Sequence, residues 1–184
     1  MNQKKLAAIK KFITSTYTLK SITRYNNLSR VLNESVAEHS FFVALIVIKL
    51  FECYDFNLLK SLSMATVHDL PEIYITDMPH NVKSSFPDLA LILASAESAV
   101  VQKKFSGTIR KSLKSLSKDK KSVEVYIVEL ADILSCIQYS EKEISLGNST
   151  ESMHLVLKES NKRIEEVLIA LKTLKAVRKN SRSK

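Results

Sequence analysis

Apolar residues recur along this chain at spacings of three and four, with no convincing alternating run. Leu6, Ile9, Phe12 and Ile13 mark a first short amphipathic helix. A second is expected over 36–54, on Val36, Val43, Ile46, Val47, Leu50 and Phe51, and a third over 57–70. Pro71 removes a backbone donor, so the third helix ends or kinks there. Residues 72–86 read as irregular, punctuated by Pro79 and Pro87. Further helices are expected over 88–105, over 122–146 and over 150–178. Gly147 and Asn148 can stop the middle one. Between them, 106–121 is a basic, Ser-rich connection containing Gly107, with partial helicity at most.

Two glycines and three prolines in 184 residues favour long helices with short connections. There is no internal repeat. The expected architecture is all-α, a single-domain helical bundle over 1–178, with a disordered basic tail at 179–184.

Composition sharpens this picture. An apolar fraction of 45% is enough for a real core, and no uncharged apolar run is long enough to span a bilayer. The start, MNQKKLAAIKKFI, lacks the long apolar stretch and cleavage site of a secretion signal. Cys53 and Cys136 both fall in apolar helical patterns. They read as buried free thiols of a reducing compartment, hence a cytoplasmic protein without a membrane partner. The formal charge of +9 is concentrated in two places. Residues 103–122 hold eight Lys or Arg against one Asp, and 172–184 hold six and no acid. Such runs can bind nucleic acid or an anionic surface, or simply be a solvated loop and a frayed tail.

Polar residues in apolar helical settings carry the chemistry. "ATVHDLPEIYITDMPH" (65–80) brings His68 and Asp69 together, with Glu72 one turn further on the same face. His39 lies on a stripe made by Val36, Phe42, Val43 and Ile46. Asp132 has Val125, Val128, Cys136 and Tyr139 at helical spacing on a segment apolar nearly all round. A buried carboxylate needs a cation or several donors. Arg or Lys would serve, and so would a divalent metal. His39, His68, Asp69 and Asp132 offer two nitrogens and two oxygens, a set that suits cobalt, manganese, zinc, iron or nickel. Phe41 and Phe42 are expected in the core, His80 at the surface, Asn81 as a local hydrogen-bonder, and His154 as structural or exposed.

Five separated motifs then coincide: "RY" at 24–25, "ESVAEHS" at 34–40, "HDLPE" at 68–72, "DMPHNVK" at 77–83 and "ELAD" at 129–132. In this order the chain resembles the HD-domain metal-dependent phosphohydrolases, and among them the small bacterial and phage 5′-deoxynucleotidases. The resemblance covers about 20–140 and leaves the last helix unconstrained. It implies a helical bundle with one divalent ion (magnesium joins the candidates) held by His39, His68, Asp69 and Asp132. It implies Glu72 as general acid/base, Arg24 on the phosphate, Tyr25 on the sugar, Asp77 near the sugar hydroxyl and Lys83 as a second phosphate contact. Many relatives carry Trp where this chain has Tyr25. A homodimer is also implied.

The leading expectation is release of phosphate from deoxynucleoside 5′-monophosphates. The alternative is a deoxynucleoside triphosphate triphosphohydrolase, which would need further cations for the outer phosphates; the basic stretch 103–122 is one source. A second alternative is a non-catalytic nucleic-acid-binding or adaptor protein, disfavoured because all four ligand positions and Glu72 are present. No Gly-rich phosphate loop occurs.

Overall fold

Side-chain caps open four of the helices. Asn2 accepts from the Lys4 amide to open α1 (Gln3–Thr16), and Asn57 accepts from the Lys60 amide to open α3 (Leu58–Val67). Ser35 and Glu38 form a reciprocal capping box at the start of α2 (Val36–Leu50). Ser122 accepts from the Val125 amide to open α8 (Val123–Ser145). Between these lie α4 (Glu72–Ile75), α5 (His80–Ser85), α6 (Pro87–Lys104) and α7 (Gly107–Lys118), and α9 (Glu151–Ser181) follows. The computed structural model describes residues 2–78, 80–118 and 122–181, without the side chains of 80, 81, 84, 118 and 175–181. The readings of the His80 and Asn81 side chains, and residues 182–184 of the expected tail, therefore lie outside the described residues. Among the described residues the only extended pairing is an isolated bridge between Thr23 and Ser35.

Helix α8 is the centre of the bundle. Its Val125, Ile127, Val128, Leu130 and Ile133 are buried against Val43 and Val47 of α2, Met64 and Ala65 of α3, and Val167 and Leu171 of α9. Gly147, at φ 99°, takes the left-handed conformation that ends α8, and α9 then runs back along it. At this turn the buried carboxylate of Glu143 accepts from the amides of Val31 and Leu32 at 2.8 and 2.5 Å and from Asn148 Nδ2 at 2.6 Å. Tyr139 Oη donates to Leu32 O at 3.0 Å. These bonds tie the irregular segment before α2 onto α8, and that segment carries Arg24 and Tyr25.

Four expectations need correction. Residues 72–86 contain two short helices, α4 and α5, because the chain resumes helical geometry directly after Pro71 and again from His80. The basic connection is helical over Gly107–Lys118, since its apolar positions, Leu113 among them, pack into the bundle. Cys53 is exposed, because α2 ends at Leu50 and leaves it in a turn; Cys136 is buried as expected. Phe41 and Phe42 are 60% and 50% exposed. They share the outward face of α2, which no described element of the chain covers, with Leu45 and Ile48.

Candidate active site

Three helical elements deliver four ligand-type side chains to one point. His39 stands one turn into α2 and is 1% exposed. His68 caps the end of α3, and Asp69 follows it in the turn before Pro71. His39 Nε2 lies 3.3 Å from His68 Nε2, 3.6 Å from Asp69 Oδ2 and 3.1 Å from Asp132 Oδ1 of α8. His68 Nε2 is 3.1 Å from Asp69 Oδ2. The ligand atoms of His39, His68 and Asp69 all fall within 4.8 Å of one another, and Asp132 joins them through His39.

Both imidazoles are aimed from behind. His68 Nδ1 donates to Ala65 O at 2.7 Å, which fixes the ring with Nε2 turned toward the cluster. His39 Nδ1 has Ser135 Oγ at 3.1 Å, with Arg24 Nη1 at 2.9 Å. Burial, and then the charge of Arg24, hold His39 below the usual histidine range, in the neutral form a cation requires. Burial alone would also lower His68, but Asp69 beside it pushes it up to about 9. Burial would raise Asp69 and Asp132; the facing imidazoles overcome this and keep both ionised, Asp132 well below the usual carboxylate range. Two carboxylates and two aimed nitrogens in so small a space form a donor set for a divalent cation.

Glu72 sits one turn away, at the start of α4. Its Oε2 is buried, with no hydrogen-bond partner among the described residues. Burial, and then the nearby charges of Asp69 and Asp77, push its carboxyl up to about 9. A carboxylic acid kept protonated near neutral pH is ready to give a proton. Asp77 is also raised, first by burial.

Arg24 donates to Glu34 Oε2 at 2.8 Å and, through Nη2, to Cys136 Sγ at 3.4 Å. Tyr25 has a left-handed backbone, φ 53°, a conformation that costs an ordinary residue about 1–2 kcal/mol. Its ring stacks on Tyr139 at 5.0 Å and lies 5.0 Å from the Arg24 guanidinium carbon. Stacking and burial offset that cost.

A cavity of about 290 Å³ opens from the cluster. Arg24, Tyr25, His39, Asp69, Glu72, Asp77, Lys83 and Asp132 line it, while His68 lines a smaller adjoining cavity with Asp69, Glu72 and Lys83. Every candidate residue named from the sequence thus reaches this region. No described residue of 103–118 lines either cavity. One wall was not anticipated: Ser152, Leu155, Val156, Glu159, Ser160 and Arg163 of α9. Their spacing of three and four residues is a helical stripe, and that periodicity was the available signal. It does not tell a cavity wall from a core face.

Solved structures of similar shape share this fold. An HD-domain phosphohydrolase from Listeria innocua aligns at TM-score 0.72 and 23% identity, over 96% of this chain and 90% of its own. The PH0347 protein of Pyrococcus horikoshii OT3 aligns at 0.69 and 30% identity, over 84% and 86%. DatZ, the HD phosphohydrolase of cyanophage S-2L solved with dA and one catalytic Zn²⁺ ion, aligns at 0.62 and 16% identity, over 88% and 92%. No curated protein matches the chain. The fold is therefore the all-α bundle of the HD-domain phosphohydrolases. Residues 11–178 match the model of the YfbR-like 5′-deoxynucleotidases, and the chain belongs to that family.

Proposed function

We propose that this protein is a 5′-nucleotidase that releases phosphate from deoxynucleoside 5′-monophosphates. The observation that carries the reading is the compact cluster of two histidines and two aspartates, with the buried, unpartnered carboxyl oxygen of Glu72 one turn away. His39, His68, Asp69 and Asp132 hold one divalent ion. When bound, that ion neutralises phosphoryl oxygens and lowers the pKa of water. Arg24 and Lys83 receive the phosphate, Arg24 through its fork of donors. Glu72, already protonated, gives its proton to the leaving 5′-oxygen as the bond to phosphorus breaks, and the proton released by the attacking water restores it. Tyr25 and Asp77 bound the sugar, and Tyr25 leaves little room for a 2′-hydroxyl. DatZ, solved with dA, supports a deoxynucleoside in a site of this fold.

Arg163 favours one second reading. It is a further cation in the cavity, 3.6 Å from Glu129, and it could meet the outer phosphates of a deoxynucleoside triphosphate. A panel of ribo- and deoxynucleotides with several divalent metals tests both, with phosphate and tripolyphosphate measured separately. Phosphate from monophosphates is expected. Tripolyphosphate from triphosphates would replace the first reading by the second, and no release of either would remove both.

The protein is also read as a homodimer. The uncovered apolar face of α2 and the exposed Leu6, Ile9 and Ile13 of α1 support this, because a contiguous apolar surface is costly in water. Light scattering across a dilution series tests it, and a monomer throughout would remove it. No helix among the described residues is long and apolar enough to cross a membrane.

A further inference from the structure

We propose that α9 carries the nucleobase subsite, with Leu155 and Val156 as the platform for the face of the base. The inference rests on the nucleotidase reading above and adds to it where the base goes and what holds it.

The order of groups along the cavity carries the argument. Arg24 lies against His39 at the ligand cluster. Tyr25, its neighbour, stacks on Tyr139 of α8. Val156 packs against the apolar cluster of Tyr25, Tyr139 and Met153. Leu155 is the next cavity-lining residue and is 43% exposed. A nucleoside 5′-phosphate has the same order: anionic end, sugar, then a flat apolar ring. With the phosphate at Arg24 and the sugar at Tyr25, the base reaches Val156 and Leu155.

Leu155 and Val156 both line the cavity, and Ser152 and Glu159, a turn before and after, share that stripe of α9. The pattern is apolar in the middle and polar at both ends. It suits a base, whose faces are apolar and whose edge carries donors and acceptors. The contact is with the face, and all bases have a similar face. Because Leu155 is partly open to solvent, the platform favours the presence of a base, and purines over pyrimidines through area, more than it separates one purine from another.

The test compares a deoxynucleoside 5′-monophosphate (dAMP) with 2-deoxyribose 5-phosphate, which has the same phosphate and sugar and no base. The readout is the ratio of kcat/KM for the two compounds in wild type, Leu155→Ser and Val156→Ser. Wild type is expected to prefer dAMP by about tenfold or more, since remote contacts contribute to turnover. In the variants that ratio should fall toward one. A general structural defect would lower both activities together and leave the ratio unchanged. Val156 packs against a buried cluster, so Leu155→Ser carries the test should Val156→Ser fail to fold. A ratio near one in wild type, or an unchanged ratio in Leu155→Ser, overturns the proposal. If neither compound is hydrolysed with any divalent metal, the nucleotidase reading falls. The platform is then read from the affinities of the same two compounds by calorimetry. Tighter binding of dAMP that is lost in Leu155→Ser supports it, and equal affinities overturn it.

Discussion

Helices α8 and α9 are both long, lie against each other and border the same cavity, yet they contribute differently. Helix α8 is buried on nearly every side, and Asp132 and Cys136 are its contributions to the cavity. Helix α9 buries Met153, Val167 and Leu171, exposes Leu168 and Ile169, and lines the cavity along three turns. A ligand that must meet an imidazole at hydrogen-bond distance, as Asp132 meets His39, needs a backbone held by packing on several sides. A wall that receives part of a substrate needs shape and apolar area, and a half-exposed helix provides both. On the readings proposed above, the central helix holds a metal ligand and the half-exposed one receives the base.

The largest test of that contrast is Asp132→Ala. It should lose the bound metal and lower phosphate release by about a thousandfold or more, since the cation supplies several kcal/mol of transition-state stabilisation. Elemental analysis beside turnover checks it; equal metal content in both proteins would remove Asp132 from the site. Stripping the metal from the wild type should also lower Tm, because the clustered His and Asp groups lose their shared cation.

Next comes Glu72→Ala, which should keep both metal and fold and lose about 100-fold in kcat. Near-normal turnover in the metal-loaded variant would place the proton on another group.

A smaller effect is expected at the junction of the two helices. Burial alone would raise the Glu143 carboxyl, but hydrogen bonds from Asn148 and the amides of Val31 and Leu32 overcome this and hold it below 4.5. The stability it contributes is therefore fully present above about pH 4.5 and is lost as pH falls through the lower folded-state value. Glu143→Ala, which orphans those donors, should cost about 2 kcal/mol at neutral pH. Denaturant titrations at pH 7 and pH 4 check both statements. The gap between wild type and variant should narrow at the lower pH, and a constant gap would refute the linkage.

The smallest effect belongs to the outward side of α9. Ile169→Ser should change stability by no more than about 0.5 kcal/mol, as usual for an exposed position. A concentration-dependent fall in Tm would instead put this face in a subunit contact.

Much of this molecule was legible in one dimension. Helical periodicity is local, so the main helices emerged from spacing alone. The pairing of His68 with Asp69, and the presence of His39 and Asp132 on apolar faces, were visible because a polar group in such a place needs a reason. Their meeting was not visible, since His39 and Asp132 are far apart in the chain and touch only when α2 crosses α8. The raised pKa of Glu72 is likewise a tertiary property, set by burial and by two carboxylates from other turns. Periodicity also cannot say what an apolar face packs against. It placed Phe41 and Phe42 in a core they do not enter, and it read Leu155 and Val156 as ordinary helix positions although they border the cavity. An apolar stripe specifies only that burial is favourable. Which surface provides it, another helix, a second subunit or a substrate, is decided by the three-dimensional arrangement, because burial is a property of what surrounds a residue.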